Sequence, residues 1–113
     1  MAKEEEEKQQ PPQFYRQGDL LIRRIGSLPQ GLTKLDTKVL AEGEATGHQH
    51  RLTLKTAQLF RDDANQRRYL SIEEPTQLVH EEHKPITIEE GTYVVIQERE
   101  FDPFADNIIR VTD

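Results

Sequence analysis

The chain has 113 residues, of which 34% are apolar and 32% charged, and its net charge is −6. Those figures describe one domain with a thin core and an acidic whole whose overall field does not draw polyanions. There is no cysteine, which removes disulfides, thiolate metal sites and cysteine nucleophiles, and the longest apolar run, residues 93–96, is too short for a membrane-spanning helix.

Residues 1–13 combine a charge run with Gln9-Gln10-Pro11-Pro12-Gln13 and bury nothing, so they read as a disordered acidic arm ahead of a single β domain, residues 14–113. The opening lacks the apolar stretch of a secretory signal, and a cytoplasmic address is expected. From Phe14 onward, short apolar segments alternate with turn chemistry. Residues 19–25 end at Gly26, with Pro29-Gln30-Gly31 beyond. Residues 38–41 lead into Glu42-Gly43-Glu44, and residues 48–55 follow Gly47. Residues 58–61 stop at Asp62-Asp63-Ala64-Asn65, and residues 67–72, 76–80, 86–88, 92–98 and 108–111 complete the series. No long window carries helical spacing, although residues 33–40 are ambiguous between helix and strand. Strands at this spacing predict an all-β small barrel or sandwich. A thin core with many strand edges also predicts a homo-oligomer.

The four histidines fall in two close pairs, His48-Gln49-His50 and His80-Glu81-Glu82-His83. Side chains alternate along a strand, so His48 and His50 share a face with Leu52 and Leu54, while Gln49, Arg51, Thr53 and Lys55 take the polar face. By the same parity His80 turns inward with Leu78. Two inward histidines two residues apart can converge on one ion at about 2.0–2.1 Å, with His80 as a third ligand. His83 has the wrong parity for a regular strand, but Lys84-Pro85 follows, and a turn or bulge at residues 81–84 would aim it inward. The expected centre is therefore His₄, or His₃ completed by Glu82 or water. Neutral imidazoles suit zinc, nickel, copper, iron or cobalt, and geometry is needed to rank them. The competing interpretation is a metal-free interaction or assembly module whose histidines are core groups or pH-sensitive contacts.

Other chemistry is sparse. No phosphate-cradling or serine-nucleophile motif occurs. Glu81 or Glu82 beside His80 has the makings of a general base next to a metal-bound water, which would give metal-dependent hydrolysis. The basic dipeptides Arg23-Arg24 and Arg67-Arg68 lie in residues 14–72, which carry +4, against −7 in residues 73–102. A metal-dependent nuclease or phosphodiesterase acting on nucleic acid or nucleotides would need these dipeptides to border the site.

Gly47-His48-Gln49-His50 resembles the HxH of the first cupin motif, and residues 86–95 resemble the strand–Gly–strand phrase of that family. The resemblance implies a small β-barrel holding a metal ion between histidines of adjacent strands. It covers about residues 45–100, and it implies ligand roles for His48 and His50 only. No acid follows within residues 51–57, and His80 and His83 precede the strand–Gly phrase instead of following it. The segment Arg16-Gln17-Gly18-Asp19-Leu20-Leu21-Ile22 is similar to the opening of short, uncharacterised prokaryotic and phage-associated proteins.

Overall fold

A computed structural model describes residues 12–42 and 47–98, apart from the side chain of Glu42. The predicted strand at residues 108–111 and most of the predicted acidic arm lie outside the described residues. The described chain is all β. Its strands are β1 (Phe14–Gln17), β2 (Leu20–Ile25), β3 (Thr33–Leu35), β4 (Val39–Glu42), β5 (Gln49–Leu52), β6 (Gln58–Asp62), β7 (Arg67–Ile72), β8 (Thr76–Val79), β9 (Ile86–Ile88) and β10 (Gly91–Gln97). They form a six-stranded sheet in the order β1-β2-β10-β7-β6-β3 and a four-stranded sheet in the order β4-β5-β8-β9. Among the described residues the two sheets share no strand, so the closed barrel gives way to two open sheets. Their inner faces bury one core, with Leu20, Ile22, Leu59, Leu70 and Tyr93 from the larger sheet against Leu40, Leu52, Leu78 and Ile88 from the smaller. No helix long and apolar enough to cross a membrane occurs among the described residues.

The ambiguous stretch 33–40 resolves into β3 and the start of β4, separated by a short irregular link. The predicted strand 48–55 is shorter than expected and begins at Gln49, which leaves His48 just ahead of it. Pairing of β4 with β5 slips between Val39 and Ala41. Arg68, reaching across from β7, donates to the Leu40 carbonyl at 2.9 Å and the Val39 carbonyl at 3.4 Å. A charged donor thus satisfies carbonyls at an irregular point of the ladder.

Near Ile25, at the far end of β2, the phenol of Tyr93 accepts from Arg24 Nη2 at 2.7 Å and donates to the Glu89 carbonyl at 2.7 Å. Burial pushes that phenol well above its ordinary pKa, reinforced by Tyr15. A Cβ on Gly91, whose φ is +149°, would collide with the Arg24 guanidinium. The glycine of the strand–Gly–strand phrase therefore has a packing reason: Arg24 lies over Tyr93, 4.8 Å from its ring centroid.

Candidate metal centre

Strand parity places His50 as expected. On β5, His50 and Leu52 are buried while Arg51 is exposed. On β8, Thr76 and Leu78 are buried, and His80 follows at the same parity beyond the end of the strand. Residues 81–83 form a bend before β9, and this bend returns His83 toward its partners. The ring of His80 lies 4.3 Å from that of His50, 4.5 Å from that of His83 and 5.5 Å from that of His48, between centroids. His50 and His83 are 6.0 Å apart. Imidazoles bound tetrahedrally to one ion at about 2.05 Å would have centroids roughly 5 Å apart, which falls inside this range. The rings of the other three predicted residues thus gather around that of His80, but the ligand atoms that approach one another closely are those of His48, His80 and Glu81, without His50 and His83.

Three groups that the sequence did not single out complete the surroundings. Gly18-Asp19 is a two-residue turn joining β1 to β2, with glycine at positive φ (+64°) in the first central position. A Cβ on Gly18 would lie 2.6 Å from His83 Nε2, so the missing side chain also makes room for that imidazole. Asp19 Oδ1 stands 3.6 Å from His50 Nε2. Gln17, buried on β1, holds the inner wall. Its amide nitrogen donates to the carbonyls of Leu78 at 3.1 Å and Lys84 at 2.9 Å, and its Oε1 lies 2.8 Å from His50 Nδ1.

That network assigns the tautomer of His50. Two carbonyls can only accept, so they fix the Gln17 amide with its nitrogen toward them and its oxygen toward the ring. His50 Nδ1 must then carry the proton, and Nε2 presents a lone pair toward Asp19. This is the arrangement by which a buried partner orients a metal-ligating imidazole. Burial lowers the His50 pKa to about 4, helped by neighbouring His80 and opposed by Asp19. Burial also lowers that of His80, followed by the influence of His83. Lone pairs are therefore available at neutral pH. A neutral imidazole nitrogen facing a carboxylate oxygen at 3.6 Å is repulsive unless a cation or proton lies between them.

A more exposed flank adds an acid. Ligand atoms of His48, His80 and Glu81 all lie within 4.8 Å of one another. Glu81 Oε1 accepts from the Gln49 backbone N–H at 2.9 Å, the largest cause of its lowered pKa, which keeps the carboxylate ionised beside β5. Glu82, the acid predicted as a possible fourth ligand, stands 3.7 Å from His48 Nδ1. Its backbone N–H donates to His80 Nδ1 at 3.0 Å. His80 ligation through that nitrogen would have to displace the Glu82 N–H. Ion ligands sit roughly 3–4 Å from one another, so movements of about 1 Å by His48 and the exposed Glu81 would close the trio.

Arg24 and Arg68 use their side chains on Tyr93, Glu90 and the β4 carbonyls, and none of those partners belongs to the histidine cluster. Little in the sequence marked Gln17 or Asp19, because they gain meaning only from the turn and the strand pairing around them, and Glu81 was marked only as a candidate base.

No curated protein and no solved structure matches the chain. Residues 16–98 match a family described as a domain of unknown function, DUF8820. That span is well over half of the chain and contains every residue of the cluster, from Gln17 to His83. The chain is a member of the DUF8820 family.

Proposed function

We propose that this protein binds a divalent transition metal through His48, His50, His80 and His83, with Glu81 and Asp19 as acidic companions. The observation that carries the proposal is the approach of His48, His80 and Glu81 ligand atoms to within 4.8 Å of one another, with the ring of His50 4.3 Å from that of His80. Imidazole nitrogen with carboxylate oxygen suits zinc, nickel, copper, iron or cobalt. The HxH leading into an inward strand, beside the neighbouring strand that His80 directly follows, is in keeping with the cupin resemblance, although the sheets here are open. Binding is the function proposed. Hydrolysis would require one coordination position left to water and an unligated Glu81 or Glu82 as base.

Calorimetric titration of zinc or nickel into chelator-treated protein tests this. Stoichiometric uptake is expected for the wild type and should be lost in His48→Ala, because too few ligands remain to compete with water. His83→Ala separates a His₄ from a His₃ centre. The amide resonance of Glu82 should shift on loading, as its hydrogen bond to His80 yields. Bound metal should raise the melting temperature. Equal uptake by wild type and His48→Ala would overturn the proposal in favour of a metal-free module with structural histidines.

A further inference from the structure

The outward face of the six-stranded sheet carries a continuous row of paired residues. Phe14 pairs with Arg23 and Arg23 with Val94; Val94 pairs with Tyr69, Tyr69 with Phe60, and Phe60 with Lys34. The row crosses all six strands, offset by one residue from the inward row of Arg24, Tyr93, Leu70, Leu59 and Leu35. Val94 is 7% exposed yet stands outside the core cluster, as its outward parity requires. Phe14 is 62% exposed, and Tyr69 and Phe60 are half-buried on adjacent strands.

The same parity divides each basic dipeptide. Arg24 and Arg68 turn inward to the contacts described above, while Arg23 and Arg67 turn outward, and Lys34 ends the row. Among the described residues none of Arg23, Lys34 and Arg67 joins an ion pair. Arg16, on the same face, is committed to Glu98 at 2.8 Å. Asp62, paired in register with Arg67, is the acid that shares these central rows. A chain of net charge −6 thus concentrates cations and aromatic rings on one sheet face.

The geometry points to this face as a binding platform for single-stranded nucleic acid, independent of the histidine cluster. Tyr69 and Phe60 are about 4.8 Å apart across neighbouring strands, and Phe14 is about 14 Å beyond Tyr69. A strand crossing the sheet can stack bases on the pair and on Phe14 while Arg23, Arg67 and Lys34 meet its phosphates. Stacking requires exposed base faces, which a duplex withholds. A second copy of this chain packed face to face would bring Arg23, Lys34 and Arg67 against like charges, which disfavours it as the occupant.

Fluorescence anisotropy on the full chain, with chelator present, tests the platform using labelled oligothymidylate and oligouridylate of about twelve nucleotides and a duplex of equal length. Both single strands should bind at low salt, and log K should fall against log salt with a slope of roughly −2 for three neutralised phosphates. Phe14→Ala, at an exposed position that leaves the fold intact, should weaken binding roughly 5- to 150-fold, as should Tyr69→Ala where its melting curve shows a folded protein. Arg23→Glu should flatten the salt dependence. Absence of single-strand binding at low salt, equal affinity for the duplex, or indifference to Phe14→Ala would each overturn the proposal. Dissociation of a homodimer by Phe14→Ala in sedimentation would assign the face to a second copy and overturn it equally.

Discussion

Acidification should destabilise this protein through His50 in a narrow window. The unfolded chain titrates that imidazole near 6.5, whereas the folded protein holds it near 4 because of burial and the neighbouring His80. Between these values the unfolded state binds more protons, so stability rises with pH there and falls as pH drops from about 6.5 toward 4. At about 1.4 kcal/mol per pKa unit the full loss lies between about 3 and 4 kcal/mol, of which about 2 kcal/mol is reached by about pH 5. His80, shifted in the same direction, adds to it. The assay is urea denaturation in chelator across this range, for the wild type and His50→Asn. Asparagine keeps an N–H near the Nδ1 position for Gln17 Oε1 and cannot titrate. The wild type should lose about 2 kcal/mol more than the variant between neutral pH and about pH 5. Parallel stability profiles, or a wild type that gains relative to His50→Asn on acidification, would refute the reasoning.

Gly18→Ala combines a positive φ with the encroachment on His83 Nε2. It should cost about 1–2 kcal/mol in thermal or urea unfolding and weaken metal uptake in the same preparation. Gln17→Leu strips the Leu78 and Lys84 carbonyls and His50 Nδ1 of their partner. A loss of roughly 2–4 kcal/mol in urea midpoint analysis is expected. Arg68→Met keeps the stem but abandons the two β4 carbonyls, and should cost about 1–3 kcal/mol with little effect on metal titration. Tyr93→Phe leaves Arg24 without its phenol partner, and a loss of about 1–2 kcal/mol in thermal unfolding is expected.

Much of the fold could be read from the sequence because period-two patterning survives in the strands that face the core. Residues 67–72 and 86–88 match their observed limits, and the other predicted strands within the described residues shift by a few residues. The strand β1 was not predicted and β3 lay in the stretch left ambiguous between helix and strand, both for physical reasons. The inward positions of β1 are Tyr15 and Gln17, and a buried glutamine looks polar until its three partners are known. In β3, only Leu35 of three residues is apolar. Parity forecast the inward aim of His50, which is buried, and the bend ahead of Lys84-Pro85 brings His83 near the rings of His50 and His80 while leaving it exposed. Asp19 was invisible in this sense, since acids are common on an acidic chain, and Glu81 was marked only as a base beside His80; tertiary contact places its carboxylate next to His48. The closed barrel was not distinguishable from a sandwich, because strand spacing is the same in both and closure depends on which edges pair.

Gln17 belongs to the larger sheet, yet each of its side-chain partners belongs to the smaller sheet or to the segment joining β8 to β9. Any event that tightens or loosens His50 is therefore mechanically tied to the seam between the two layers. A ligand bound among the histidines would act as a rivet across that seam. Its signature would be slower amide hydrogen exchange along β1 and β8 together, including amides that touch no ligand, while exchange on β3 and β6 at the opposite edge stayed unchanged.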